Sequence, residues 1–117
     1  MNNKEFMYKD FKTETMELIS ELGASVIAYK LRRRMDPFIE KEYEEQEYQG
    51  KGKINWEEIP EQFLKYNDGY GTQYWQGIIL LDNGTWLTRG EYDGSEWWDY
   101  HKLPTIQEVL EEDIPLF

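Results

Sequence analysis

Apolar and polar residues alternate most clearly between Tyr74 and Lys102, a stretch that holds four of the five tryptophans in the chain. Two turn sequences, Asp82-Asn83-Gly84 and Asp93-Gly94, divide it into three runs rich in aromatic and branched side chains. Asn-Gly favours a type I′ turn, because both central residues need a positive φ. The pattern predicts a three-stranded antiparallel meander.

A two-residue loop at Asn83-Gly84 pairs Leu81 with Trp86 and Ile79 with Thr88. This register divides the side chains of the first hairpin between two faces. One face carries Trp75, Ile79, Leu81, Trp86 and Tyr92, and the other carries Ile78, Leu80, Leu87, Arg89 and Glu91. Both faces are partly apolar near the turn, so we expect helices or loops to cover both.

The second hairpin allows two loop lengths. A two-residue loop puts Glu91 opposite Glu96, which is an unfavourable pairing of like charges. A three-residue loop with Gly94 in the left-handed region avoids that pairing and brings Trp97 beside Arg89. We therefore predict the three-residue loop.

Residues 4–34 carry apolar side chains at helical spacing. Gly23 interrupts the run, so the segment forms either one helix that tolerates the glycine or two helices that meet there. A strand through residues 26–29 is the alternative, but its alternation is poor. We predict helix, ending in a basic cluster at residues 30–34 that complements the helix dipole.

Asp36-Pro37 is typical of a helix start, because Asp suits the N-cap and Pro suits the first helical position. The pattern predicts a helix from there to about Tyr48 with a thin apolar stripe. Five glutamates surround that stripe: Glu40, Glu42, Glu44, Glu45 and Glu47. Like charges one turn apart destabilise a helix. The segment is therefore either a solvated face or a surface that meets a positively charged partner.

The remaining segments complete a single α+β domain. A helical part covers residues 1–48, a flexible linker covers residues 49–55, and the meander with flanking short helices covers residues 56–117. Within that last part, we predict a turn at residues 56–59, a helical piece at residues 61–66 and a short C-terminal helix. A capping box of Thr105 and Glu108 starts the C-terminal helix. We expect it to bury Ile106, Val109 and Leu110 and to end at Pro115.

The charge balance restricts the partners. The chain has 117 residues and a net charge of −11, from 13 basic and 24 acidic residues. Such a surface is repelled by nucleic acids and anionic membranes, so we expect a protein partner with a basic surface, no direct nucleic-acid binding and no membrane. The absence of cysteine excludes disulfides and thiolate zinc sites. The N-terminus has no signal pattern, and we expect a cytoplasmic protein.

Candidate chemistry is sparse. His101 is the single histidine, and the chain has no nucleophile elbow, phosphate-binding loop or dinucleotide fingerprint. We expect no cofactor, no metal and no catalysis. The alternative is a carboxylate-dependent hydrolase that uses Glu91 with Glu96, or Glu96 with Asp99.

The paired tryptophans suggest a second kind of site. Trp97 and Trp98 are adjacent in the last predicted strand and therefore point to opposite faces. One of them is exposed unless both faces of the sheet are covered. Exposed tryptophans are common at the centres of protein interfaces. The strand carrying Trp98 and Tyr100 is thus the docking site of an alternative function, a protein-interaction adaptor.

Two sequence runs carry a resemblance. Residues 86–98 (WLTRGEYDGSEWW) and residues 67–71 (NDGYG) resemble segments of small accessory proteins from bacteriophages and other mobile elements. The resemblance covers roughly residues 54–104. It implies a phage-type origin, and small acidic phage proteins are often similar to counter-defence inhibitors, such as anti-CRISPR and anti-restriction proteins that imitate DNA. It assigns no catalytic residue.

The leading hypothesis joins this resemblance to the charge pattern. Carboxylates one helical turn apart lie ~5–6 Å from each other at Cβ and imitate a row of phosphates. We hypothesise an inhibitor, acting in the bacterial host cytoplasm, that binds the basic nucleic-acid-binding site of a host defence nuclease complex. The predicted partner-binding residues are Glu40, Glu42, Glu44, Glu45 and Glu47 on the acidic helix, Glu57, Glu58 and Glu61 beyond it, and Trp98 and Tyr100 on the last strand.

Overall fold

The computed structural model describes residues 7–68 and 73–111. The strands are β1 (Met7–Asp10), β2 (Val26–Arg33), β3 (Gln46–Lys51), β4 (Lys65–Asp68), β5 (Trp75–Leu81), β6 (Thr85–Tyr92) and β7 (Ser95–Lys102). The helices are α1 (Phe11–Leu22), α2 (Glu61–Leu64) and α3 (Ile106–Glu111), and a 3-10 turn spans Trp56–Glu58.

The strands form two antiparallel sheets. The larger has the order β3-β2-β5-β6-β7, and the smaller pairs β1 with β4. The predicted α+β class and the meander β5-β6-β7 are confirmed. The sheet has five strands instead of three, because β2 and β3 from the predicted helical half extend it beyond β5.

The predicted register of the first hairpin is wrong by one residue. Leu80 lies opposite Trp86, and Ile79 lies opposite Leu87. Residues 82–84 separate the two strands, and Gly84 has a φ of 81°. Asn83 does not take the positive φ of a type I′ turn; its side chain accepts a hydrogen bond from the Thr85 backbone NH instead.

This one-residue difference reverses the faces of β6, since successive side chains of a strand point to opposite sides. Leu87 and Arg89 point into the core, and both are buried. Trp86 points to the opposite face of the sheet, where its ring stacks on His101 at a centroid distance of 5.5 Å.

The second hairpin also differs from the prediction. Tyr92 pairs with Ser95 and Glu91 pairs with Glu96, so the loop has two residues. Asp93 and Gly94 both have positive φ, 53° and 86°, as a type I′ turn requires. Glu91 tolerates its acidic neighbour because the Glu96 carboxylate is neutralised by a buried arginine.

The helical prediction for residues 4–34 is correct only for α1; residues 4–6 lie outside the described residues. Asp10 caps α1 by accepting a hydrogen bond from the Thr13 NH at 3.0 Å, and Gly23, with a φ of 63°, ends it. The chain then continues as β2 instead of a helix. Its core-facing residues are Tyr29, Leu31 and Arg33. Because Arg33 is charged although it faces the core, the sequence lacks the alternation of apolar and polar residues that marks a half-buried strand.

The predicted acidic helix is absent from the described chain: residues 37–43 form turns and residues 46–51 form β3. The Asp36 carboxylate accepts hydrogen bonds from the NH groups of Phe38 and Ile39, which fixes a local turn. The predicted linker at residues 49–55 is correspondingly wrong at its start, because β3 continues to Lys51 and pairs with β2.

The turn predicted at residues 56–59 is confirmed, and it is the 3-10 turn Trp56–Glu58. The helical piece predicted for residues 61–66 ends earlier, at Leu64. From Lys65 the backbone pairs with β1, and this long-range pairing replaces the last helical turn.

The core lies between the five-stranded sheet and a layer made of α1, the 3-10 turn and α2. The rings of Phe11 and Trp75 stack at a centroid distance of 4.0 Å. Trp98 packs beside them, and its indole NH donates to Thr15 Oγ1 at 2.8 Å. Because β7 thus joins α1 directly, the layer is held against one face of the sheet.

The C-terminal helix α3 begins at the predicted capping box. The Thr105 NH donates to the Glu108 carboxylate at 2.8 Å, and the Glu108 NH donates to Thr105 Oγ1 at 3.1 Å. Its predicted burial is wrong, because Ile106, Val109 and Leu110 are all exposed. Pro115 lies outside the described residues.

Candidate protein-binding groove

A groove of about 860 Å³ runs between α1 and the segment of residues 56–64. Its floor is apolar and consists of Met16, Trp56, Ile59, Pro60 and Leu64. Met16 is 46% exposed, so the floor offers contact area to a ligand. A concave surface of this kind is where small proteins bind side chains of a partner.

The walls of the groove are held by core contacts. Phe11 is fully buried at the start of α1, and its ring meets the Trp56 ring edge-on at 5.9 Å. On the opposite side, the floor residues Ile59 and Leu64 are buried in the core and hold residues 56–64 in place. The groove is therefore a fixed feature of the folded chain and does not depend on loop closure.

Carboxylates surround the apolar floor. Asp10 and Glu17 lie on one side, and Glu57 and Glu61 lie on the other. Lys12 is the basic residue of the lining. The four carboxylates and the one ammonium group give the lining a net charge of −3. None of the four carboxylates takes part in an ion pair within the described residues. The groove is therefore open to a cationic ligand.

A second cavity of about 370 Å³ continues the groove along α1. Met16 and Trp56 line both cavities, so they form the boundary between them. The second cavity is apolar, with Ile19, Val26 and Ile54 in its lining. Together the two cavities form a furrow that is acidic at one end and apolar at the other.

The structure brings only two of the predicted partner-binding residues into this groove, Glu57 and Glu61. Glu58 belongs to the same 3-10 turn and is exposed, but it does not line the cavity. Asp10, Glu17, Met16 and Trp56 were missed by sequence reasoning. The N-cap position of Asp10 is the one local signal among them, and it indicates a helix start and not a site.

The glutamates of the predicted acidic helix are dispersed instead. Glu40 turns inward and holds Arg33 through two contacts of 2.9 and 3.0 Å. Glu47 binds Arg32 at 2.8 Å, and Glu45 lies 3.5 Å from the same guanidinium. Three of the five carboxylates are therefore paired within the chain.

The other two, Glu42 and Glu44, are exposed on the turns that precede β3. Glu42 and Glu44 do not share a helical face with the other three glutamates, because the helix predicted from Asp36 to Tyr48 does not form. The proposed row of phosphate-like charges is thus not supported by the geometry of residues 40–47.

The tryptophan strand is also different from its prediction. Trp98 is buried, and Trp97, which is 37% exposed, is the outward residue of the pair. Trp97 lies over Gly90, and its indole NH donates to the Asp99 carboxylate at 2.8 Å. Tyr100 is 46% exposed on the edge strand β7.

The carboxylates weighed for hydrolysis have other partners. Glu96 is fully buried, accepts hydrogen bonds from the NH groups of Tyr74 and Trp75, and pairs with Arg89. Burial raises the pKa of the Glu96 carboxyl, although these bonds act in the opposite direction. Glu96 is therefore held in the interior by Arg89 and by two backbone NH groups.

No helix in the described part of the chain combines the length and the apolar character needed to cross a membrane. In the same residues, no three carboxylate or histidine side chains are grouped as metal ligands. Comparison of the chain with protein-family models, curated proteins and solved structures gives no match.

Proposed function

We propose that this protein is a non-enzymatic binding protein that holds a basic, amphipathic segment of a protein partner in the groove between α1 and residues 56–64. The geometry of the groove supports this proposal, because four carboxylates surround the apolar floor of a groove of about 860 Å³. Apolar side chains of the partner enter the floor, and lysine or arginine side chains reach the carboxylates at the rim.

Charge favours this partner over others. The chain carries a net charge of −11, so its field attracts basic partners from a distance and raises the association rate. The rim carboxylates then select the register of the bound segment. An acidic segment is rejected by the same charges.

The biological role we propose is inhibition. Proteins that bind nucleic acids present basic surfaces, and a segment captured in an acidic groove is no longer free to contact a nucleic acid. The target we propose is a host defence nuclease complex, and the support for it is the sequence resemblance to phage accessory proteins. In this form the counter-defence hypothesis rests on Glu57 and Glu61, and no longer on a helix of residues 40–47.

A defined peptide tests the binding mode. The probe is a synthetic 12-residue peptide with alternating lysine and leucine, titrated into the full chain by calorimetry. We expect binding that the double variant Glu57→Lys/Glu61→Lys weakens at least about tenfold, because charge reversal at the rim repels the peptide. The matched control is Glu42→Lys/Glu44→Lys, which makes the same change in net charge outside the groove.

Equal losses in both double variants would show that net charge alone attracts the peptide, and the groove would not be the binding site. A peptide with alternating glutamate and leucine serves as the second control and is expected not to bind. The inhibitory role is tested separately, by adding the protein to a bacterial defence nuclease and measuring cleavage of its nucleic-acid substrate with wild-type and Glu57→Lys/Glu61→Lys protein.

A further inference from the structure

The cavity that continues the groove differs from it in charge. Among the described residues, its lining holds no carboxylate, and its charged side chain is Lys53. Glu17 and Glu57 are next in the chain to the boundary residues, yet they line the groove and not this cavity. The lining of the second cavity therefore has a net charge of +1, against −3 in the groove, and the two parts of the furrow favour opposite charges in a ligand.

The two walls of the furrow place these charges toward opposite ends. On α1 the lining starts at Asp10 and reaches the shared Met16 before it enters the second cavity. On the other wall it starts near Glu61 and reaches the shared Trp56 before Lys53. Lys53 is exposed, and within the described residues it takes part in no ion pair. Its ammonium group is therefore open to a carboxylate of a ligand.

The second cavity has the size and lining for one bulky apolar side chain. Its volume is about 370 Å³, and an apolar cavity of about 150 Å³ is already enough to hold benzene. Ile19 and Ile54 are buried and fix its floor. Met16 adapts to the shape of a ring, because its side chain is unbranched and flexible. Apolar side chains that fill such pockets are the usual anchors of a bound segment.

The length of the furrow fits one short segment. Between Asp10 and Ser20, α1 lines both cavities over about 15 Å. An extended chain covers that distance in about five residues. A single extended segment therefore reaches from the acidic groove to the second cavity and Lys53.

We propose that the furrow selects a partner segment by the order of its residues. Lysine or arginine lies in the acidic groove, a bulky apolar side chain fills the second cavity, and an aspartate or glutamate lies beside Lys53. The proposal rests on the groove function proposed above and adds the order of the bound residues to it. A segment with its charges exchanged is rejected at both ends, because like charges then meet. The net charge of −11 opposes a second copy of this chain as the occupant.

Calorimetric titration of the full chain with defined peptides tests the proposal. The first probe is Lys-Lys-Ala-Phe-Ala-Glu-Glu with both termini blocked, so that the terminal charges are removed. Because the furrow orders side chains and not the chain direction, the reversed sequence is measured as well and the tighter binder is used as the glutamate peptide. The glutamine peptide has the same sequence with both glutamates replaced by glutamine.

Reversal of the charge at Lys53 is the central measurement. We expect Lys53→Glu to weaken binding of the glutamate peptide at least about fivefold and to change binding of the glutamine peptide by no more than about twofold. Lys30→Glu is the matched control, because it makes the same change in net charge at an exposed lysine outside the furrow. It is expected to affect the two peptides equally.

Filling the second cavity tests the anchor. Ser20 is exposed on α1 and lines that cavity, so Ser20→Trp occupies the space without disturbing the core. We expect it to weaken binding of the glutamate peptide at least about tenfold, and Gln107→Trp on the exposed face of α3 to leave binding unchanged. Replacing the phenylalanine of the peptide by alanine is expected to cause a similar loss, and this arm does not depend on the folding of a variant.

The outcomes separate this proposal from the groove function. Binding that Glu57→Lys/Glu61→Lys weakens, but that responds to Lys53→Glu equally with both peptides, would overturn the proposed order and leave the groove function standing. An alanine peptide that binds as tightly as the phenylalanine peptide would overturn the anchor. Failure of every peptide to bind the wild type, or binding that Glu57→Lys/Glu61→Lys leaves intact, would overturn the groove function and this proposal with it.

Discussion

The Nη2 atom of Arg89 lies 2.7 Å from the Oε1 atom of Glu96 in the interior of the protein, and neither side chain is more than 1% exposed. Arg89 also binds Glu14 of α1 at 2.9 Å, and its guanidinium lies over the rings of Phe11 and Trp98. This one arginine therefore links β6, β7 and α1. The link holds the helix that forms one wall of the groove.

Removing the Glu96 charge is expected to destabilise the fold. In Glu96→Gln the guanidinium of Arg89 stays in the same low-polarity surroundings but loses the charge of the Glu96 carboxylate. The cost of such a change is about 3 kcal/mol. Urea denaturation followed by tryptophan fluorescence measures it. The control is Glu91→Gln on the exposed neighbour of the same strand pair, which should change stability by no more than about 0.5 kcal/mol. Equal effects would contradict a structural role for the buried pair.

The two adjacent tryptophans are expected to differ in their roles. Trp98→Ala removes a buried ring and its hydrogen bond to Thr15, and we expect a loss of about 3–5 kcal/mol in the free energy of unfolding. Trp97→Ala removes a partly exposed ring and is expected to cost about 1 kcal/mol. Thermal unfolding of both variants provides the comparison. A larger loss in Trp97→Ala would mean that the faces of β7 are reversed.

Asp36 is expected to contribute to stability in a pH-dependent way. Burial by itself raises the pKa of Asp36, but hydrogen bonds from the backbone of Phe38 and Ile39 and from the Tyr74 hydroxyl, together with the Arg33 charge, lower it below its ordinary value. A carboxyl whose pKa is lower in the folded state stabilises that state above the unfolded pKa, about 4. The stabilisation is lost as the pH falls from there through the folded pKa.

The measurement is urea denaturation of wild type and Asp36→Asn between pH 2 and pH 7. The asparagine keeps the oxygen that accepts the two backbone hydrogen bonds, and it removes the charge together with the oxygen that accepts from the Tyr74 hydroxyl. We expect the wild type to be the more stable protein at pH 7 and the difference to shrink below about pH 4. A difference that stayed constant down to pH 2 would show that Asp36 does not titrate as proposed.

Binding of the lysine–leucine peptide is expected to depend on salt. The Debye length falls from about 10 Å at 0.1 M to about 3 Å at 1 M salt, so the rim carboxylates lose most of their attraction and the apolar floor is left. We expect at least about tenfold weaker binding in calorimetric titrations across this range.

The same titration distinguishes the groove from the acidic helix predicted at residues 40–47. Gln substitutions at Glu42, Glu44, Glu45 and Glu47 together should change peptide affinity by no more than about threefold, because none of the four lines the groove. A loss of affinity as large as that caused by Glu57→Lys/Glu61→Lys would show that the peptide binds at residues 42–47 and not in the groove.

Local signals were sufficient for the C-terminal capping box and for the positions of the two meander turns. The Thr105–Glu108 capping box forms as expected, because both of its hydrogen bonds join residues three positions apart. The turns of the meander form where Asp82-Asn83-Gly84 and Asp93-Gly94 place them. Their lengths were interchanged, because the choice between two and three residues depends on which faces of the strands become buried.

The candidate site was much less accessible to prediction. Glu57 and Glu61 were identified by charge alone, and charge also selected Glu40 and Glu47. The two pairs differ in whether an arginine lies within ion-pair distance. Glu40 and Glu47 pair with arginines of β2, whereas Glu57 and Glu61 face an open groove. That distinction appears only when α1 and residues 56–64 are placed side by side.

The sequence by itself determined the positions of the two meander turns, the C-terminal capping box, the meander and the strong negative charge, since each of these depends on residues that are close together in the chain or on composition alone. Only the tertiary structure decided that residues 26–33 and 46–51 are strands, because their pairing partners lie across the sheet and the buried Arg33 obscures the alternation of residues 26–33. It likewise decided that the carboxylates of residues 40–47 serve mainly the fold. The groove is a product of packing between distant segments, and no single stretch of the chain contains it.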